Sequence, residues 1–226
     1  MVTITRLQPK GTLEETYNSP EVKNAAKTLE VSFSTDDVTK ALNGDDPNIG
    51  GLRMLASTTT AVMDLEAYVA NPDGVDPAEV AGAVMLMKQP GIEHGKSENA
   101  KGPHSAKCDV IMEQKPELQK AFKDIIAFFG HLEEKALGPE AVTPTYYISH
   151  LGTLPDYQRK GLAGALLNMA KQKAKSEGKT LTLLTMTEPN VKYYEKFGFK
   201  NLYYEEVTLN GILTRWWVMA VDPKDS

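Results

Sequence analysis

A glycine-containing turn near the last third of the chain constrains its fold more than any other segment. The turn reads Gln158-Arg159-Lys160-Gly161-Leu162-Ala163-Gly164, between a predicted strand from Tyr146 to Thr153 and a predicted helix from Leu162 to Glu177. The two glycines allow an anion to approach the main chain, and the unpaired N–H groups of a helix N-terminus favour a phosphate. Arg159 and Lys160 add positive charge. The sequence therefore predicts a strand, turn and helix that together hold a pyrophosphate.

Two common pyrophosphate motifs do not fit this turn. A Walker loop places its lysine directly after a glycine, whereas Lys160 precedes Gly161. A dinucleotide fingerprint needs three glycines early in a βαβ unit, and this turn has two glycines and lies late in the chain. The pattern that remains is Gln/Arg-x-x-Gly-x-Gly/Ala, which residues 158–163 satisfy.

Further landmarks downstream make the pattern specific. Asn190 follows a predicted strand, and Tyr194 opens a Tyr-x-x-x-Gly-Phe sequence that ends at Phe199. Together with the turn, these landmarks resemble the Gcn5-related N-acetyltransferase (GNAT) superfamily from about Tyr146 to Met219. The arrangement is most similar to small-molecule members such as puromycin N-acetyltransferase.

The resemblance implies an α/β (α+β) GNAT fold, with a mixed sheet of six or seven strands flanked by helices. It also implies acetyl-CoA as cofactor and a primary amine of a small molecule as acceptor. Tyr194 is the expected acid for the leaving thiolate, although an aromatic packing role is the alternative. Asn190 is expected to hold the pantetheine arm or to cap a short helix. The residues expected to bind coenzyme A are Leu151, Gly152, Thr153, Gln158, Arg159, Lys160, Gly161, Leu162, Ala163, Gly164, Asn190, Tyr193 and Tyr194.

The base that removes the amine proton is left open between two residues. Strict alternation along the strand places Tyr147, Ser149, Leu151 and Thr153 on one face, and His150 on the other unless a bulge intervenes. His150 is a candidate base because imidazole titrates near neutral pH, but a buried structural histidine is an equal alternative. Glu188 is the second candidate, with a solvated loop carboxylate as its alternative.

The chain of 226 residues predicts a single acetyltransferase domain, with an insertion at about 91–144 that begins with a polar loop at 91–107 and carries one or two helices. Composition also predicts a loop at 43–51, a strand from Glu79 to Lys88, and a final hairpin that turns at Asn210-Gly211. A net charge of −5 gives no basic surface for nucleic acid. The longest apolar run is too short to span a membrane, and a single cysteine suits the reducing cytoplasm. The acidic, histidine and cysteine residues in the insertion match no common zinc spacing, so no metal is expected; they are Glu93, His94, His104 and Cys108. A monomer or a homodimer is expected.

Three functions are compatible with these sequence features. The first is acetylation of a small amine, amino acid or amine-bearing drug. The second is acetylation of protein lysines or N-termini, which needs an open groove for an extended chain. The third is binding of coenzyme A without turnover.

Overall fold

A computed structural model describes residues 1–44, 46, 48–92, 99, 103–139 and 144–224, with only the backbone described at 103, 104 and 106–108. One mixed sheet runs through it in the order β1-β2-β3-β4-β5-β7-β6. Its strands are β1 (Val2–Arg6), β2 (Glu66–Pro72), β3 (Ala83–Lys88), β4 (Tyr146–Thr153), β5 (Leu181–Thr185), β6 (Lys200–Leu209) and β7 (Ile212–Val221).

Eight α-helices are described in these ranges. Four lie between β1 and β2: α1 (Leu13–Asn18), α2 (Pro20–Phe33), α3 (Asp37–Asn43) and α4 (Ile49–Asp64). The others are α5 (Pro103–Glu113), α6 (Pro116–Leu137), α7 (Leu162–Ser176) and α8 (Glu188–Glu195). This architecture confirms the predicted mixed sheet flanked by helices, and the number of strands is seven.

The helices cover both faces of the sheet because successive strand residues point to opposite sides. Helices α7 and α8 pack on one face, where Leu166 and Ala170 are fully buried against Met85 and Leu183. On the other face, α2 and α4 cover β2 and β3, and α3 and α6 cover β6 and β7. The predicted insertion thus contributes α5 and α6, and its long helix covers the C-terminal hairpin.

Strands β4 and β5 form the only parallel pair among the described strands of this sheet, and they separate along their length. Their pairing runs from Tyr146 with Leu181 to Ile148 with Leu183 and goes no further. Beyond that point β4 stays paired with β3 as far as Thr153, and β5 stays paired with β7 as far as Thr185. A gap therefore opens between the carboxyl ends of two neighbouring strands, the usual place for a ligand in an α/β sheet.

Three element boundaries differ from the sequence prediction. Gly50 and Gly51 were expected in a loop, yet α4 begins at Ile49. These glycines serve close helix packing, since a Cβ on Gly50 would lie 2.8 Å from Asn43 Nδ2. The strand predicted from Glu79 begins only at Ala83. Asn71 explains this, because its amide donates to the carbonyls of Val75 and Val80 and accepts from Gly82 N–H in place of strand pairing.

The third boundary concerns the insertion, whose segment 91–107 was expected to be a loop. Residues 103–107 belong to α5 instead. Within the part of the chain that the structure describes, no helix is long and apolar enough to cross a membrane. The same residues contain no group of three metal-binding side chains, while Glu93 and His94 and the side chains of His104 and Cys108 lie outside them.

Candidate active site

The turn at the end of β4 forms a cradle of main-chain donors. Arg159 and Gly161 both have positive φ, at 60° and 81°, and Gly161 is the left-handed N-cap of α7. The first intrahelical hydrogen bond runs from Ala165 N–H to the Gly161 carbonyl. The N–H groups of the first helical turn, which no side chain caps, therefore point out of the helix end, where the dipole favours an anion.

The two glycine positions of the cradle require glycine for different structural reasons. A Cβ built on Gly161 meets nothing within 4 Å, so its space is open and its positive φ is what favours glycine. A Cβ on Gly164 would lie 3.1 Å from Phe197 Cζ of α8. Gly164 thus allows α7 and α8 to pack closely, a role in addition to the phosphate binding predicted from the sequence.

Charged and polar side chains of the cradle are exposed. The Lys160 ammonium lies 5.0 Å from the centre of the Tyr157 ring, and Gln158 Nε2 donates to the Thr153 carbonyl over 3.4 Å. Gln158, Arg159 and Lys160 all face solvent. These side chains can therefore reach a ligand without first breaking a buried contact.

A bulge in β4 places His150 and Leu151. Leu86 pairs with His150, but the next β3 residue, Met87, pairs with Ile148, so Ser149 is the extra residue. Leu151 consequently packs on the same core cluster as Ile148, and His150 lies towards α2. The predicted shared face of Tyr147, Ser149, Leu151 and Thr153 is therefore wrong, because the bulge reverses the alternation.

His150 lies against helix α2 and is partly buried. Its ring meets the Phe33 ring of α2 edge to face, with centroids 5.8 Å apart. Gly152, two residues on, packs as closely on α2, since a Cβ there would lie 2.9 Å from Ser32. Burial lowers the pKa of His150 to about 4, and the Arg53 guanidinium on α4 contributes to the shift. The imidazole is therefore neutral at physiological pH.

Helix α8 brings Tyr194 to the opposite face. The Tyr194 ring is 9% exposed and packs against Tyr193 and Phe199, with centroids 5.7 and 5.8 Å away. Burial, with a contribution from Tyr193, raises the pKa of Tyr194. Its phenol therefore stays protonated at neutral pH and can act as a hydrogen-bond donor.

The alternative role expected for Asn190, that of helix cap, is wrong, because another residue caps α8. Thr187 is the N-cap, and its hydroxyl accepts from Asn190 N–H over 3.4 Å. Asn190 is thus inside the first turn rather than the cap, and its side chain is exposed. Glu188 is the exposed acidic residue in the first turn, where the helix dipole stabilises a carboxylate.

A cavity of about 280 Å³ lies on the His150 side of the sheet, between α2, α3 and α4. Phe33, whose ring touches His150, forms part of its wall. The lining combines apolar and polar groups: Glu30, Phe33, Ser34, Thr39, Lys40, Asn43, Gly44, Asp46, Gly50 and Met54. The sequence did not predict this cavity, since its walls come from separate helices and carry no motif.

The structure thus arranges the predicted residues in two groups around one gap. Leu151, Gly152 and Thr153 lie on the separated part of β4, beside the cradle residues 158–164. Tyr193, Tyr194 and Asn190 approach from the face of α7 and α8, whereas His150 lies on the face of α2 and α4. Sequence reasoning missed Ser149, Phe33 and Arg53 because their importance depends on the bulge and on helix packing.

Comparison with known proteins agrees with this geometry. A family model described as an acetyltransferase (GNAT) domain matches residues 108–220, half of the 226 residues. A comparison with curated protein sequences gave no match.

Similar solved structures extend over nearly the whole chain. Arylalkylamine N-acetyltransferase 2 from Aedes aegypti has a TM-score of 0.61 at 14% identity, covering 98% of this chain and 99% of its own. Polyamine N-acetyltransferase from Drosophila melanogaster has a TM-score of 0.58 at 12% identity, covering 97% and 100%. A structure described as histone acetyltransferase HPA2 and related acetyltransferase, from Corynebacterium glutamicum, has a TM-score of 0.57 at 17% identity, covering 98% and 97%. At these identities the likeness supports the fold.

Proposed function

Since the chain belongs to the GNAT acetyltransferase family and is an acyl-CoA N-acetyltransferase that uses acetyl-CoA, we propose that its acceptor is the primary amine of a small molecule. The observation that carries the proposal is the cavity lined by Phe33, next to His150. The cradle and the free edge of β4 would hold the cofactor, and this cavity would hold the amine.

The described residues fit the phosphates and the arm of coenzyme A. The open space beside Gly161 and the uncapped start of α7 would receive the pyrophosphate, with Arg159 and Lys160 supplying positive charge. The edge of β4 that has left β5, from Leu151 to Thr153, would bond to the amides of the arm as an added strand does. Acetyl-CoA, when bound, supplies an acetyl thioester whose carbonyl carbon an amine can attack.

Two side chains can handle the protons of the reaction. Tyr194 keeps its proton at neutral pH and would donate a hydrogen bond to the leaving sulfur. His150 is neutral and would accept the proton that the amine nitrogen loses as it bonds to carbon. Glu188 is the weaker candidate base, because its place in the first turn of α8 already accounts for an exposed carboxylate.

The cavity favours a small acceptor over a protein chain. Its volume lies near the lower end of the range of small-molecule pockets, roughly 300–1,000 Å³. It is bounded on three sides by α2, α3 and α4, which suits a compact molecule better than an extended peptide. Two carboxylates, Glu30 and Asp46, line it beside Lys40 and are ion-paired to Lys27 and Lys115, so an ammonium group would have to compete with these lysines.

Acetylation of a protein lysine or N-terminus is the alternative. Proteins of this fold include enzymes named for both kinds of acceptor, so the fold itself does not choose between them. The likeness to puromycin N-acetyltransferase, the monomeric or homodimeric state and a cytoplasmic location stay predictions, as does the single domain.

A release assay for free coenzyme A tests the proposal. We expect the purified protein with acetyl-CoA to release thiol with at least one class among polyamines, arylalkylamines, amino acids and amine-bearing drugs. We expect no comparable release with lysine-containing or free N-terminal peptides. Turnover with the peptides alone would identify a protein acetyltransferase, and tight coenzyme A binding without any turnover would indicate a binding protein.

A further inference from the structure

Ser149, the extra residue of the β4 bulge, links the main chain of β3 to His150. Its hydroxyl donates to the Leu86 carbonyl over 3.2 Å, and its Oγ lies 3.2 Å from His150 Nδ1. Leu86 is also the residue that pairs with His150 across the two strands. The carbonyl, the hydroxyl and the imidazole therefore form one chain of hydrogen bonds at the point where β4 leaves β5.

The proton count of this chain fixes the tautomer of the imidazole. A carbonyl oxygen can only accept, so the single hydroxyl proton of Ser149 is used in the bond to Leu86. The Ser149 oxygen can then only accept from His150, which requires a proton on Nδ1. Because a neutral imidazole carries one N–H, Nε2 is left with its lone pair free.

The surroundings of His150 favour the neutral form that this tautomer requires. Leu86 on β3 and Phe33 on α2 are apolar, and the charge that acts on the ring from α4 is the Arg53 guanidinium. Burial lowers the pKa of His150 to about 4. Near neutral pH the free imidazole therefore carries a proton on only one of its two ring nitrogens.

We propose that Ser149 is a positioning residue that holds His150 in the Nδ1–H tautomer, so that Nε2 is the base for the acceptor amine. The proposal rests on the amine acetyltransferase function given above. As the neutral amine nitrogen bonds to the acetyl carbon, its proton would pass to Nε2 and give an imidazolium. The carbon–sulfur bond would break, and the sulfur would take the Tyr194 proton, which solvent then replaces. The imidazolium keeps its Nδ1–H bond to Ser149 and later releases the Nε2 proton to solvent. Tyr194 acts separately, on the other face of the sheet.

Nitrogen NMR on histidine-labelled protein tests the tautomer without any turnover. The chain has four histidines, and a His150→Gln variant assigns the signals of His150. At pH 7 we expect a protonated Nδ1 and an unprotonated Nε2. In Ser149→Ala we expect loss of this single form and a kcat lower by about tenfold, part of the usual contribution of a general base. The KM for the acceptor should change little.

Two further variants separate positioning from a structural effect. Ser149→Thr keeps a hydroxyl on a strand residue and should restore both the tautomer and kcat. Ser32→Ala is the matched control, because Ser32 also donates to a main-chain carbonyl, that of Thr28, within α2. It should leave the His150 signals unchanged.

The outcomes distinguish this inference from the proposed function. A protonated Nε2 in the wild-type protein, or an unchanged tautomer in Ser149→Ala, would overturn the inference whatever the activity. A changed tautomer with an unchanged kcat would also overturn it, since Nε2 would then not be the base. Absence of turnover with every small amine would instead count against the proposed function, and the NMR result would still report on the tautomer.

Discussion

Tyr194 and His150, the proposed acid and the proposed base, lie on opposite faces of one sheet. Tyr194 belongs to the core cluster of α7 and α8, whereas His150 lies against Phe33 of α2. In the proposed function the two would serve the same reaction across the gap where β4 and β5 separate. One phenol that keeps its proton and one neutral imidazole would give the proton donor and the proton acceptor that acetyl transfer needs.

Replacement of Tyr194 by phenylalanine tests the proposed proton donor, because it removes only the hydroxyl group. Tyr194→Phe keeps the packing of the ring and removes the hydroxyl, so kcat should fall by about 10²-fold. The KM for acetyl-CoA should change little, because the proton is needed at the leaving sulfur rather than for binding. Steady-state kinetics at saturating acceptor gives both values. Tyr204→Phe, which removes an exposed hydroxyl on β6, is the control, and a Tyr194→Phe variant with full kcat would leave Tyr194 as a packing residue.

Helix α7 carries the cradle at one end and an ordinary helix stop at the other. Gly161 precedes it with φ of 81°, and Gly178 follows it with φ of 64°. A Cβ built on either glycine meets nothing within 4 Å. An alanine at either position therefore brings the same strain of a left-handed backbone, about 1 kcal/mol. The two variants differ only in whether the strained residue lies at the cradle.

This symmetry provides a matched pair of variants. Gly161→Ala should weaken coenzyme A binding, and Gly161→Glu should abolish it by adding bulk and negative charge where phosphate is expected. Gly178→Ala should lower thermal stability by a similar amount to Gly161→Ala and leave the affinity unchanged. Calorimetric titration with coenzyme A, next to a thermal melt, measures both effects. Equal affinities in folded Gly161→Glu and wild type would contradict the assignment of the cradle.

The helices, strands and turns that could be predicted from the sequence are those set by residues close together in the chain. The cradle, α7 and the final hairpin were predicted because each depends on residues close in sequence; Asn210 and Gly211, for example, both have the positive φ that the predicted tight turn requires. The β4 bulge could not be predicted, because nothing in the alternation marks Ser149 as an extra residue. The start of α4 was missed because Gly50 and Gly51 are typical loop residues, while their purpose is to admit Asn43 and Glu30 from neighbouring helices.

At the scale of the whole molecule, the proposed function assigns the two reactants to different parts of the chain. The cradle and α8 come from the segment that resembles the family, and the cavity comes from the four-helix segment between β1 and β2. The cavity could not be predicted from the sequence because it is a space between helices rather than a motif. If the proposal holds, substitutions in the cavity should change acceptor binding without changing coenzyme A binding.

Narrowing the cavity without touching the cradle tests whether the amine binds there. Ser34 lines the cavity at the exposed end of α2, so Ser34→Trp adds a large side chain there with no change to the buried core. Thr35→Trp is the control, since Thr35 is the next residue and is also exposed but does not line the cavity. The measurement is the KM of the best amine found in the release assay, beside calorimetric affinity for coenzyme A. We predict a KM raised by about tenfold or more in Ser34→Trp, equivalent to about 1.4 kcal/mol, with coenzyme A affinity unchanged and Thr35→Trp like wild type. An unchanged acceptor KM in Ser34→Trp would contradict binding of the amine in this cavity, because the amine would then enter the gap by another route.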